Sequence, residues 1–82
     1  MLRLGKETKQ SPQEVLDKAV AFFGPDGLGL ALRQRSEQSV AFQGGGGYVS
    51  VTARRTAEGE PTAVDLESRE WDYPVRQFLG EI

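Results

Sequence analysis

The closing stretch, Trp71–Ile82, reads WDYPVRQFLGEI and decides how the rest of the chain has to fold. Apolar side chains at Trp71, Val75, Phe78, Leu79 and Ile82 stand at offsets of 0, 4, 7, 8 and 11. At about 100° of rotation per residue these offsets make one stripe along a helix, with Arg76, Gln77 and Glu81 turned to water. The stripe holds the only Trp and one of the four Phe residues, so it needs a broad apolar surface to cover. Asp72 or Tyr73 is expected to cap this helix, with Pro74 in its first turn.

The segments upstream supply such a surface. Thr62–Glu70 alternates, with Val64 and Leu66 inward, and Tyr48–Arg55 places Val49, Val51 and Ala53 on one face. A shorter strand carries Val40 and Phe42, after a polar turn at Ser36-Glu37. Leu28, Leu30 and Leu32 alternate with Gly29, Ala31 and Arg33, which predicts a half-buried strand following the turn at Asp26-Gly27. Met1–Lys9 alternates weakly and is read as a first strand at a sheet edge, with a bulge at Gly5.

Ser11-Pro12-Gln13-Glu14 is a capping box: the Ser11 hydroxyl accepts from the Glu14 amide while the Glu14 carboxylate accepts from the Ser11 amide. Pro12 occupies the first helical position, where no backbone donor is needed. The helix runs to Phe23 and stops at Gly24-Pro25, with Gly24 expected in the left-handed closing conformation. Val15, Leu16, Ala19, Val20 and Phe23 form its buried face, with Phe22 at the margin. The order is therefore β-α-β-β-β-β-α in a single domain, 1–82. Short turns between successive strands favour an antiparallel curved sheet, and two helices packed on one face give a two-layer α+β fold.

This element order resembles the TBP-like fold, and a long last helix gripped by strands resembles a cut-down member of the START/Bet v 1-like (SRPBCC) group. The opening, a strand followed by Ser11-Pro12-Gln13-Glu14-Val15-Leu16 at the head of the first helix, is similar to that of many members. Members of that group are usually longer and enclose a deep cavity with more strands. The resemblance implies a fold and hints at ligand binding, and no functional residue is carried over from it.

Composition narrows the function. Eighty-two residues with 38% hydrophobic and 27% charged side chains make one small globular domain. Ten basic against twelve acidic residues give a net charge of −2, which argues against a broad electrostatic grip on nucleic acid or an anionic membrane. The longest apolar run, Ala19–Phe23, falls far below the roughly 18 residues of a membrane span. The absence of Cys fits a cytoplasmic setting and removes thiolate chemistry. Without His, a serine nucleophile lacks its usual base, and any metal site would have to be all oxygen. A non-enzymatic protein without cofactor is expected.

Two motifs invite chemistry. Gly44–Gly47 suggests a phosphate loop, but such loops open a helix and carry a Lys or Ser/Thr in register, whereas this run leads into a strand. A turn is the favoured reading, although four glycines exceed what a tight turn needs. Asp65 and Glu67 share a strand face as an acid pair would. With Arg33, Arg35, Arg54 and Arg69 expected on the same side, cross-strand ion pairing is favoured over acid–base catalysis.

The sheet face away from the helices is the surface of interest. Ala31, Arg33, Ala41, Tyr48, Ser50, Thr52, Arg54, Asp65 and Glu67 are its candidate interface residues. Small residues there allow close approach, and charges of both signs suit a two-fold contact, so a homodimer through this face or an edge strand is the leading expectation. Its carboxylates disfavour nucleic acid, and a plain solvated face is the competing reading. The alternative function is a binding module for a small apolar, lipid-like ligand held between the last helix and the sheet at Phe23, Trp71 and Phe78, which requires a cavity of about 300 Å³.

Overall fold

The computed structural model describes every residue, Met1–Ile82. The elements are β1 (Leu2–Thr8), α1 (Pro12–Phe23), β2 (Ala31–Arg35), β3 (Ser39–Gly44), β4 (Gly47–Arg54), β5 (Thr62–Arg69) and α2 (Asp72–Leu79). The order is β-α-β-β-β-β-α. All five strands form one antiparallel sheet in the order β1-β5-β4-β3-β2, so β1 and β2 are the edges. Helix α1 lies over β4 and β3, and α2 lies over β5, both on the same face.

Fourteen buried apolar residues form one core between the layers. The sheet contributes Val40, Phe42, Val49, Val51, Ala53, Val64 and Leu66, and the helices contribute Val15, Leu16, Ala19, Phe23, Val75 and Phe78. Phe23 sits among three rings, 4.9 Å from Phe22, 5.7 Å from Phe42 and 5.3 Å from Phe78. Trp71, Leu79 and Ile82 pack against the core while remaining partly exposed, so the terminal stripe does cover the sheet. The capping box at Ser11 and Glu14 is present in both directions, at 3.2 and 2.9 Å. Its bonds to Ser11, the backbone amide first, hold the Glu14 carboxyl below its ordinary value of 4.5.

Several local expectations are corrected. No strand begins at Leu28: its amide bonds the Phe22 carbonyl at 3.0 Å, which keeps it in the turn after α1, and it is exposed. Leu32 also lies outside the core, because β2 is an edge strand with every residue exposed; of the three leucines only Leu30 is buried. Gly24 is not left-handed (φ −71°, ψ −171°). Glycine is required there because a Cβ would press into the Val20 carbonyl. The expected bulge at Gly5 is absent, since β1 pairs with β5 without interruption from Leu2 to Thr8. The irregularity falls instead in β2, between Leu32 and Gln34. Neither Asp72 nor Tyr73 caps α2; Trp71 holds that position without a side-chain bond, and the Asp72 carboxylate accepts from Ser68 Oγ at 3.0 Å.

The structure requires glycine at three of the four positions of the run, Gly45, Gly46 and Gly47. Gly45 and Gly46 have φ of 58° and 79°, the paired positive values of a type I′ hairpin between β3 and β4. Close approach also excludes a side chain at two positions. A Cβ on Gly47 would strike the Arg69 carbonyl, and one on Gly45 would meet the Trp71 ring. The Trp71 indole N–H donates to the Gly44 carbonyl at 2.9 Å, tying the hairpin to the head of α2. At the other end of α2, Lys6 Nζ donates to the Leu79 carbonyl at 2.7 Å, a cation where the helix dipole favours one.

Because Phe78 is buried against two rings of α1, Phe78→Ala is expected to cost about 3–5 kcal/mol in urea unfolding. Tyr73→Ala, on the exposed side of the same helix, is expected to stay within about 0.5 kcal/mol. Equal losses for the two would contradict this packing.

Candidate interaction face of the sheet

Alternation along each strand sends one set of side chains into the core and leaves the other on the open face. Registers align that second set into rows across the strands. One row reads Arg3, Glu67, Ser50, Ala41 and Gln34; the next reads Gly5, Asp65, Thr52 and Ser39. Above them lie Arg69, Tyr48, Gln43 and Ala31, and below them Glu7, Ala63 and Arg54. The interface candidates Ala31, Ala41, Tyr48, Ser50, Thr52, Arg54, Asp65 and Glu67 thus share this face. Arg33 joins them through its Nε, which donates to Gln43 Oε1 at 3.1 Å.

Arg35 does not. The bulge inserts one residue into β2, so Gln34 pairs with Ala41 and Arg35 with Val40, which moves Arg35 to the helix side. There its guanidinium meets Asp17 of α1 at 2.7 Å. The partner of Glu67 is likewise neither Arg33, Arg35 nor Arg54 but Arg3, at 3.6 Å across the β1–β5 pair. Placing β1 beside β5 joins the two ends of the chain, and no local pattern in the sequence reveals it. Asp65 stands between Gly5 and Thr52 without an ion pair.

The middle of the face is shallow. Ala41, Ser50 and Thr52 are half-buried by their neighbours, and a hollow of about 70 Å³ lies among Arg3, Ser50, Thr52, Asp65 and Glu67. Tyr48 bridges two rows: its hydroxyl donates to Glu67 Oε2 at 2.7 Å, with Met1 Sδ at 3.1 Å. This bond to the carboxylate pushes the Tyr48 phenol above its ordinary value of 10.0. This bond holds the two side chains in place across neighbouring strands.

The aromatic residues of the ligand expectation are placed differently. Phe23 and Phe78 are buried with their rings in contact, and Trp71 is spent on the hairpin. Of the four surface cavities, none is walled by Phe23 or Trp71. Phe78 lines only a groove of about 260 Å³ on the outer seam of the helices, with Phe22, Ala21, Lys18 and Glu81. No helix of the structure is long and apolar enough to cross a membrane. Comparison with protein-family models, curated proteins and solved structures finds no match.

The Tyr48–Glu67 bond has a pH signature. Since the folded phenol ionises later than the unfolded one, its contribution to stability is complete below pH 10 and is lost as pH rises through the folded value. In a Tyr73→Phe background, the phenolate absorbance of Tyr48 is expected to appear above pH 10, and Glu67→Gln is expected to bring the midpoint back down. A midpoint unmoved by Glu67→Gln would show that the bond does not form.

Proposed function

We propose that this domain is a non-enzymatic interaction protein that works as a homodimer, two copies meeting through their open sheet faces. One observation carries the reading. Small half-buried residues, Ala41, Ser50 and Thr52, occupy the middle of the face, while Asp65 and Arg69 around them have no ion-pair partner within their own chain. Small residues let two sheets approach, and a two-fold axis sets each unpaired charge of one copy against the other copy's surface. Standard interfaces bury about 800 Å² per partner, roughly a sixth of the 5031 Å² this chain exposes.

The edge strands are poorer candidates. Strand β2 is bulged and carries Arg33 and Arg35, and β1 carries Arg3 and Lys6, devices that discourage edge-to-edge pairing. A cytoplasmic setting and the resemblance of the fold to TBP-like or SRPBCC proteins belong to the same proposal and add nothing about a ligand.

Light scattering at micromolar concentration is expected to give twice the monomer mass. Ser50→Arg, which forces a bulky cation into the centre of the face, is expected to give the monomer mass with an unchanged circular dichroism spectrum. A monomeric parent protein would end the homodimer reading, and a dimer indifferent to Ser50→Arg would end its sheet-face form.

A further inference from the structure

The loop between β4 and β5, residues 55–61, is far longer than the two residues that suffice for a hairpin. Together with the lower rim of the open face it walls a cleft of about 460 Å³, within the range of small-molecule sites. Six polar side chains line it: Glu7 from β1, Gln38 from the β2–β3 turn, Arg54 from β4, and Arg55, Thr56 and Glu60 from the loop. None of the six makes a side-chain hydrogen bond within the chain. The molecule's ion pairs, Arg3–Glu67 and Arg35–Asp17, both lie elsewhere. Higher on the same face Arg3, Arg33, Gln43, Tyr48 and Glu67 all have partners, and of the charged groups there only Asp65 and Arg69 stand unpaired.

The register explains why the opposite charges stay apart. Glu7 pairs with Ala63 and Ala63 with Arg54, so one strand separates the acid from the base. At about 4.8 Å per strand the two backbones stand roughly 10 Å apart. The residue between them ends at a methyl group. Carboxylate and guanidinium therefore face each other across a gap floored by Ala63, and the cleft is apolar only at that floor and at Pro61 beside it.

From this we infer that the cleft binds a small zwitterion, an amino carboxylate lying across Ala63. Its carboxylate meets Arg54 and its ammonium meets Glu7, while Arg55 and Glu60 of the loop close the rim. A simple anion gains from the arginines but is repelled by the two carboxylates, and a simple cation suffers the reverse. Only a molecule carrying both charges satisfies both walls. Because all four groups are solvated, binding is weak, with a dissociation constant on the order of 1 mM.

The test follows amide shifts of the ¹⁵N-labelled protein during titration with 4-aminobutyrate, butyrate and butylammonium. 4-Aminobutyrate is expected to give saturable shifts at 7, 38, 54–56 and 60, and to bind about tenfold more tightly than either singly charged analogue. Arg54→Gln is expected to reduce it to the level of butylammonium, and Glu7→Gln to that of butyrate. Absence of saturation at about 50 mM, equal affinity for butyrate, or shifts centred elsewhere would overturn the inference. The titration is repeated on Ser50→Arg. Failure of the homodimer reading shows in the mass and leaves these shifts unaltered, so the two proposals fail separately.

Discussion

Everything in this fold depends on a few aromatic rings meeting at one place. Phe22 and Phe23 end α1, Phe42 comes from the middle of β3, and Phe78 from the last turns of α2. Phe23 touches the other three with centroid separations of 4.9 to 5.7 Å. No two of the three elements carrying them are adjacent in sequence, so the cluster is what fixes both helices to the same side of the sheet. A domain this small has little other apolar surface with which to offset the entropy of ordering its chain. Loss of one ring removes a contact between layers as well as buried area.

The second constraint is the clasp at the β3–β4 hairpin. A type I′ turn at Gly45-Gly46 brings the Gly44 carbonyl under the Trp71 indole, while Gly47 lies against the backbone at the end of β5. Trp71 thus acts as the hinge pin of α2 more than as a core residue. A tryptophan in this role needs its N–H satisfied, and a bare backbone carbonyl flanked by glycines is well suited to that. The same geometry seats the head of α2 against the end of the sheet.

Much of this was legible in the sequence. Period-2 alternation located the inward residues of β3, β4 and β5, and the capping box located α1; of the 0, 4, 7, 8, 11 stripe Val75 and Phe78 are the buried residues of α2, while Trp71 and Ile82 fall outside the helix and, like Leu79, are only partly buried. The errors share a physical origin. Leu28 and Leu32 look like strand residues, but the hydrogen bonds that close α1 hold the first, and the edge position exposes the second. Alternation continued unbroken through β2 puts Arg35 on the open face. One inserted residue reverses every side chain beyond it, and no residue type in ALRQR marks the insertion. On the open face the residues were readable strand by strand. Their neighbours were not, since the pairing of β1 with β5 spans the whole chain.

The rings and the clasp close the apolar side of the sheet, and the homodimer proposed above sets a second copy on the opposite, open face. The most direct measurement is an isotope-filtered nuclear Overhauser experiment on a mixture of labelled and unlabelled protein. Intermolecular signals linking Tyr48 and Ala41 of one copy to the open face of the other are the predicted result. Intermolecular signals confined to β1 or β2, or none at all, would contradict the account.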